Sequence, residues 1–344
     1  MGKLSLLQFL AGQLKSVPPV ETRDLKGETV LVVGANVGLG FEAAKHFALM
    51  KPEKLVLACR SVKKGEDAAR AITESTGFAG GIYVRQVDLT VFDSVIAFAD
   101  LFERDFRSLD IYVYNAGVLS SAFGQTVDGW ENTLEVNHLS CVLLTILMWP
   151  CLRRACRPDS RPRTVIVSSD VHYWTTFDPE LLGSPDILEK LNDKDYCTPA
   201  VVRRRYFDTK LLGVFFVREL ASRIFADSSV IPVAVNPGFC KSALRRNFAF
   251  PMSLIDSIGD FLFARSTEEG ARQLVWAAVG GRESEHELHG AYVSDAGVKE
   301  PSDFVLSEEG NRVQKRVWEE TVRVLSEVSP RFKEVLAGML DEEA

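Results

Sequence analysis

Nothing in the 344 residues sets cysteines at a CxxC or cysteine-histidine spacing suited to zinc, although six are present: Cys59, Cys141, Cys151, Cys156, Cys197 and Cys240. Each reads first as a small apolar residue in a reduced, intracellular setting. No window approaches 18 uninterrupted apolar residues, so no integral membrane segment is expected. The start, MGKLSLLQFLAGQL, lacks a cationic n-region with a convincing cleavage site. A basic excess is missing too. Forty Lys and Arg face 47 Asp and Glu, for a net charge of -7 that opposes nonspecific attraction to phosphate backbones and anionic membranes. Nucleic acid is therefore not an expected partner, and a soluble, cytoplasmic protein is. Repeats and low-complexity tracts are absent. Hydrophobic residues at 46% and charged residues at 25% give the ordinary globular balance.

Along the chain, short apolar runs alternate with amphipathic stretches: ETVLVV, a helix through Phe41–Leu49, KLVLAC, a helix through Lys64–Ile72, GIYVRQVDL, a helix through Val95–Phe106, and DIYVY. A long helix near Thr133–Leu152, TVIVSS, a helix from about Arg203 to Ile224, VIPVAVN, a helix near Glu268–Val279 and GAYVS continue the series. Continuously apolar strands separated by helices imply a parallel sheet covered on both faces. The expected fold is α/β, a single doubly wound Rossmann-type parallel sheet of about seven strands. The expected layout is an N-terminal extension over 1–24, the main domain over 25–300 with insertions near 171–202 and 238–265, and a C-terminal helical extension over 301–344. Leu4, Leu7, Leu10 and Leu14 share a helical spacing with Phe9 nearby, which suits packing on the chain's own domain or, alternatively, contact of residues 1–14 with a membrane surface.

The first strand runs into Gly34-Ala35-Asn36-Val37-Gly38-Leu39-Gly40 and then a helix. Glycines there permit a tight turn and let the backbone, at Asn36 and Leu39 as well, approach a pyrophosphate at a helix N-terminus. A carboxylate at the end of the second strand would bind ribose hydroxyls, but Cys59-Arg60 stands there instead. A guanidinium suits a 2′-phosphate, so NADP is favoured over NAD; the alternative is a solvated basic turn with Lys63 and Lys64. Asp88-Leu89 ends the third strand, where the carboxylate either holds the adenine amino group or caps the next helix.

Tyr206 has a lysine four residues on, Lys210, on the same face of a helix. A phenol titrating near 10 is a poor acid-base group at neutral pH until a nearby ammonium stabilises its phenolate. Ser169 closes TVIVSS at the carboxyl edge of the sheet, where open α/β folds bind ligands, and could hold a substrate oxygen. Ser168 is its neighbour, but strand alternation lets only one of the two face the site.

Over about residues 25–300 this order of motifs resembles the short-chain dehydrogenase/reductase family, especially its retinol-dehydrogenase-like and fungal branches. Gly34, Gly38 and Gly40 match the family's glycine pattern, Asn115, Ala116 and Gly117 its N-N-A-G, Asn137 its helix asparagine, Ser169 its serine, and Tyr206 and Lys210 its Y-x-x-x-K. Asn236-Pro237-Gly238 followed by Ser242 looks like the segment that holds the nicotinamide carboxamide. The resemblance implies that Tyr206 exchanges a proton with the substrate oxygen, Ser169 orients that oxygen, Lys210 also binds the nicotinamide ribose, and Asn137 holds a relay water. Val33 and Tyr114 depart from the family's threonine and first asparagine, and an altered backbone contact with weakened cofactor binding is expected there.

His172, Tyr173, Trp174, Phe177, Phe239, Phe248, Phe250 and Phe263 in the insertions suit either an apolar substrate pocket or ordinary loop packing. The expected function is an NADP-dependent oxidoreductase interconverting an alcohol and a ketone or aldehyde on a lipophilic small molecule, in a setting such as fungal secondary metabolism. A non-catalytic NADP(H)-binding sensor is the alternative. The nearly all-round apolar run with Leu143, Leu144, Ile146 and Leu147 suits a homodimer, as in relatives that pair there, or cover by the C-terminal extension.

Overall fold

A computed structural model of the chain describes residues 4–158, 160–224, 230–241 and 264–341. Ser242, Phe248, Phe250 and Phe263 lie outside the described residues. Eight strands form one sheet in the order β3-β2-β1-β4-β5-β6-β7-β8. They are β1 Thr29–Val33, β2 Lys54–Cys59, β3 Gly81–Gln86, β4 Ile111–Tyr114, β5 Arg163–Val167, β6 Ile231–Val235, β7 Ala291–Ser294 and β8 Gly297–Lys299. The first seven are parallel, and β8 runs antiparallel to β7. The strand order reverses between β1 and β4, the switch point at which doubly wound folds open a ligand crevice.

Every residue of β1, β4, β5 and β6 is buried, as expected of strands covered by helices on both faces. Helices Phe92–Phe106, Ser140–Arg154 and Pro199–Arg223 cover one face with Val33, Ala58 and Tyr114. Helices Gly38–Leu49, Val62–Thr76 and Thr267–Val279 cover the other with Val30, Val32 and Leu57.

The eighth strand exceeds the seven expected from the sequence. It is three residues long, and its hairpin turns through Asp295 and Ala296 at φ of 51° and 52°, left-handed backbone that the sequence marks with no glycine. The helix expected from about Arg203 begins at Pro199, because Thr198 caps it by accepting from the Val201 N–H and Pro199 occupies its first turn.

Helix Glu308–Val328 packs on Pro199–Arg223, and a further helix, Pro330–Asp341, packs on Ser140–Arg154. Trp318 stacks on Phe216 with centroids 6.2 Å apart, and Gln314 donates to Glu219 at 2.8 Å. Twelve of the fifteen residues of Ser140–Arg154 are buried within this one chain, which accounts for its all-round apolar character. Asn132–Arg154 is long and apolar enough to cross a membrane, yet it lies inside the fold.

Candidate active site

The glycine turn assigns each glycine a physical task. Gly34 and Gly38 take φ of +81° and +69°, and a Cβ on Gly40 would stand 2.4 Å from the Gly34 carbonyl oxygen and 2.6 Å from Asn115 Nδ2. Asn115 donates from Nδ2 to that carbonyl at 3.0 Å, binding β4 to the turn. A Cβ on Gly38 would meet nothing within 4 Å, so the space over this helix N-terminus is open to a phosphate-bearing group. The residues fit a dinucleotide cofactor. Asn36 and Leu39 are part of the turn, half-buried and capping neither end of the helix with a side chain.

The departures at Val33 and Tyr114 leave the backbone ladder intact. The expected altered contact is not seen: Gly34 N–H donates to Ala58 O at 2.8 Å and Asn115 N–H to Val33 O at 3.1 Å. Tyr114 is fully buried and donates its hydroxyl to Val136 O at 2.7 Å, tying β4 to the π-helical turn Glu135–Leu139.

At the second strand's end Arg60 is exposed, and no hydrogen bond or ion pair engages its guanidinium among the described residues. Its carbonyl accepts from Gln86 Nε2 at 3.1 Å. Asp88 does not cap the helix that follows. Its Oδ1 accepts from the Thr90 N–H and hydroxyl at 3.1 and 2.7 Å, and Asp128 accepts from Phe92 N–H at the helix start. The Leu89 carbonyl accepts from Ser140 Oγ at 2.8 Å.

Asn137 sits in the π-helical turn, a feature often found at functional sites. Its Oδ1 accepts from Val118 N–H at 2.8 Å, and its Nδ2 donates to Val118 O and Thr209 Oγ1, both at 3.0 Å. Both amide donors and one Oδ1 lone pair thus hold the strand end next to Ala116 and Gly117, and a relay water would meet the second Oδ1 lone pair or the main-chain atoms of the turn. A Cβ on Gly117 would lie 3.4 Å from Asn137 Oδ1 and 3.8 Å from Lys210 Nζ, so these three positions converge.

Lys210 is buried and donates from Nζ to Val167 O at 2.6 Å. Burial pulls its pKa down to about 8. The Nζ stands 5.4 Å from the ring centroid of half-buried Tyr206 on the same helix. One residue before Tyr206, Arg205 is enclosed and reaches Glu131 at 3.3 Å and Leu191 O at 2.6 Å, which fixes the helix's rotation and anchors the insertion. Ser168 is 2% exposed and donates to Lys210 O at 2.8 Å, so its hydroxyl is occupied. Ser169 is half-buried with extended backbone, and its Oγ accepts from Val171 N–H at 3.3 Å.

Sequence reasoning missed a clip behind these groups. Asn236 Oδ1 accepts from the N–H groups of Asp170 and Gly238, each at 3.1 Å, while its Nδ2 donates to Ser294 Oγ at 3.1 Å. One side chain thus joins the ends of β5, β6 and β7 and positions Pro237 and Gly238. Tyr292 donates to Asp170 at 2.7 Å. His172 donates from Nδ1 to Ser169 O at 2.8 Å and accepts at Nε2 from Ser302 N–H at 3.1 Å, which defines a neutral tautomer, and burial lowers its pKa to about 4. It supports the Ser169 loop rather than exchanging protons. Only the N-P-G triplet marked this clip in the sequence, because its partners lie up to 130 residues apart.

A family model described as short chain dehydrogenase matches residues 28–172. The short chain dehydrogenase/reductase dmxR8 of Cryptosporiopsis sp. is 36% identical over 94% of this chain and 98% of its own length. The short-chain dehydrogenase anuD of Penicillium roqueforti is 34% identical over 95% and 85%. Among solved structures, an uncharacterized protein from Mycobacterium paratuberculosis aligns with TM-score 0.64 and 25% identity over 89% of this chain and 97% of that one. L-sorbose reductase from Gluconobacter frateurii, complexed with NADPH and L-sorbose, aligns with TM-score 0.58 and 20% identity over 81% and 98%.

Proposed function

Because the chain belongs to the short-chain dehydrogenase/reductase family, and so to oxidoreductases that bind a nicotinamide cofactor and act on alcohols and carbonyls, we propose that it is an NADP-dependent enzyme with Tyr206 as its acid-base group. The carrying observation is the convergence of Lys210, Asn137 and Gly117 beside Tyr206 at the carboxyl edge of the sheet.

Bound NADP(H) supplies or accepts the hydride at the substrate's carbinol or carbonyl carbon. The turn Gly34–Gly40, with Asn36 and Leu39, receives the pyrophosphate, and Asn115, Ala116 and Gly117 line its floor. Asp88, Leu89 and Arg60 surround the adenosine end. Pro237 and Gly238 hold the nicotinamide, with Lys210 on its ribose; Ser242, expected beside them, lies outside the described residues. Arg60, exposed and without a hydrogen bond or ion pair to its guanidinium among the described residues, supports NADP over NAD. Tyr206 gives its phenolic proton to a carbonyl oxygen during reduction and takes one back during oxidation, with Ser169 donating to the same oxygen. The Lys210 ammonium stabilises the phenolate. Asn137 acts by fixing Val118 and Thr209. The relatives' fungal sources support a setting in fungal secondary metabolism.

Titration with NADPH and NADH, followed by reduced-nicotinamide fluorescence, and then a carbonyl panel test this reading. NADPH should bind ahead of NADH, and Tyr206→Phe should keep NADPH binding while losing at least 100-fold in turnover, the usual scale for a general acid or base. Comparable turnover by Tyr206→Phe would sink the assignment. NADPH binding without turnover of any carbonyl would instead favour the sensor reading.

A further inference from the structure

Helix Leu6–Gln13 lies against the segments that flank the active site. Trp174 Nε1 donates to Leu4 O at 2.7 Å, Phe239 N–H donates to Gln13 Oε1 at 3.1 Å, and Arg265 Nη2 donates to Gly12 O at 2.9 Å. The Phe9 ring meets Trp174 edge-on, with centroids 5.0 Å apart. Between this helix and the sheet edge is a cavity of about 300 Å³. Its floor includes Asp170, one residue beyond Ser169, and Asn236, one residue before Pro237. The volume is at the lower end of small-molecule sites.

The lining sets the ligand's chemistry. Lys15, Arg265 and Lys299 balance Asp170, Asp295 and Glu300, and Arg265 already pairs with Asp295 at 3.0 Å, so the cavity favours neither ionic sign. Phe9 and Tyr173 offer ring surface. Ser294, whose Oγ accepts from Asn236, keeps its own proton for an acceptor oxygen. We propose that this cavity receives the part of the substrate remote from the reacting carbon, so that the N-terminal helix is a wall of the substrate site and selects a neutral ring compound bearing hydroxyl or carbonyl oxygens. This rests on the oxidoreductase reading and narrows its lipophilic substrate to an oxygenated one.

Gly12 provides the test. It lines the cavity one turn from Gln8 and three residues from Lys15, and a Cβ there would meet nothing within 4 Å, so the backbone leaves space for the start of a side chain. Isothermal titration with 2′,4′-dihydroxyacetophenone and with acetophenone, each with and without saturating NADP⁺, reads binding without turnover. The wild-type chain should bind the dihydroxy ketone more tightly than acetophenone. Gly12→Phe should weaken the dihydroxy ketone at least tenfold while NADP⁺ affinity and melting temperature hold, and Gly12→Ala should match wild type. Equal affinities in wild type and Gly12→Phe, or no binding of the dihydroxy ketone by wild type, overturns the proposal. Failure to bind NADP⁺ overturns the cofactor reading alone, because the titrations without nucleotide still report on the cavity.

Discussion

Replacing Gly40 with alanine tests the closeness of the glycine turn. The added Cβ would lie 2.4 Å from the Gly34 carbonyl oxygen, about 0.6 Å inside the distance that real Cβ atoms respect, and the obstructing atom is backbone in a tight turn. Overpacking of this kind costs about 1–3 kcal/mol. The second obstruction is Asn115 Nδ2 at 2.6 Å, so relief also breaks its hydrogen bond to Gly34 O, a further loss of about 1 kcal/mol. At roughly 2.1 cal/mol/K per residue, the total of about 2–4 kcal/mol lowers the melting temperature by about 3–6 °C. Gly38→Ala is the internal control. Its Cβ has free space, and only the left-handed φ of +69° opposes it, at about 1–2 kcal/mol and about 1–3 °C. Differential scanning fluorimetry checks both melts, and an NADPH titration should show weakened binding for Gly38→Ala as well, because its Cβ enters the space left open to the phosphate-bearing group. A melting temperature that falls further for Gly38→Ala than for Gly40→Ala would refute the close-approach argument.

Arg205→Met leaves Glu131 buried without its partner, at about 3–5 kcal/mol, and thermal melts should fall by about 4–7 °C; an unchanged melt would show the pair to be dispensable. Burial holds Lys210 near pKa 8, so kcat/KM should decline above about pH 8 as its ammonium is lost, and Lys210→Arg should remove that limb at a lower overall rate. Stability moves the other way: the unfolded lysine binds more protons between pH 8 and its ordinary value near 10.4, so this group's share of stability rises with pH across that window. A flat wild-type rate profile from pH 7.5 to 9.5 would remove Lys210 from the account. Sedimentation should give a monomer near 38.2 kDa, because the C-terminal helices already cover Ser140–Arg154; a dimer at micromolar concentration would contradict this.

Features that depend on local backbone demands were legible in the sequence. The Gly34–Gly40 turn could be read because positive φ and close approach each require glycine, and the inner parallel strands because burial on both faces writes continuous apolar runs, whereas the edge strand β3 has no buried residue. Strand alternation says only that one of Ser168 and Ser169 faces the site, and the match to the family's serine points to Ser169; the structure occupies the Ser168 hydroxyl with the Lys210 carbonyl. What was not legible depends on partners distant in sequence. The Tyr114 hydroxyl finds Val136 only once β4 and the π-helical turn are assembled, so its exchange for asparagine looked like a loss. Arg205 reads as one of three consecutive arginines, and only the fold shows that it is enclosed while Arg203 is exposed. β8 is too short to carry a period, and its Asp295-Ala296 turn gives no glycine signal.

Helix Leu6–Gln13 is translated well before the residues that seat it, which follow 170 to 253 positions later. At about 5–20 residues per second, Arg265 follows Gly12 by roughly 13–50 seconds. Throughout that interval the docking surface of the leucine-bearing segment is incomplete, so the segment is available to chaperones and exposed to proteases. A chain that stops short of Arg265 would keep the glycine turn, Tyr206 and Lys210 but lack the residue that closes the cavity's wall. Completion of the cavity's wall is thereby tied to translation through Arg265.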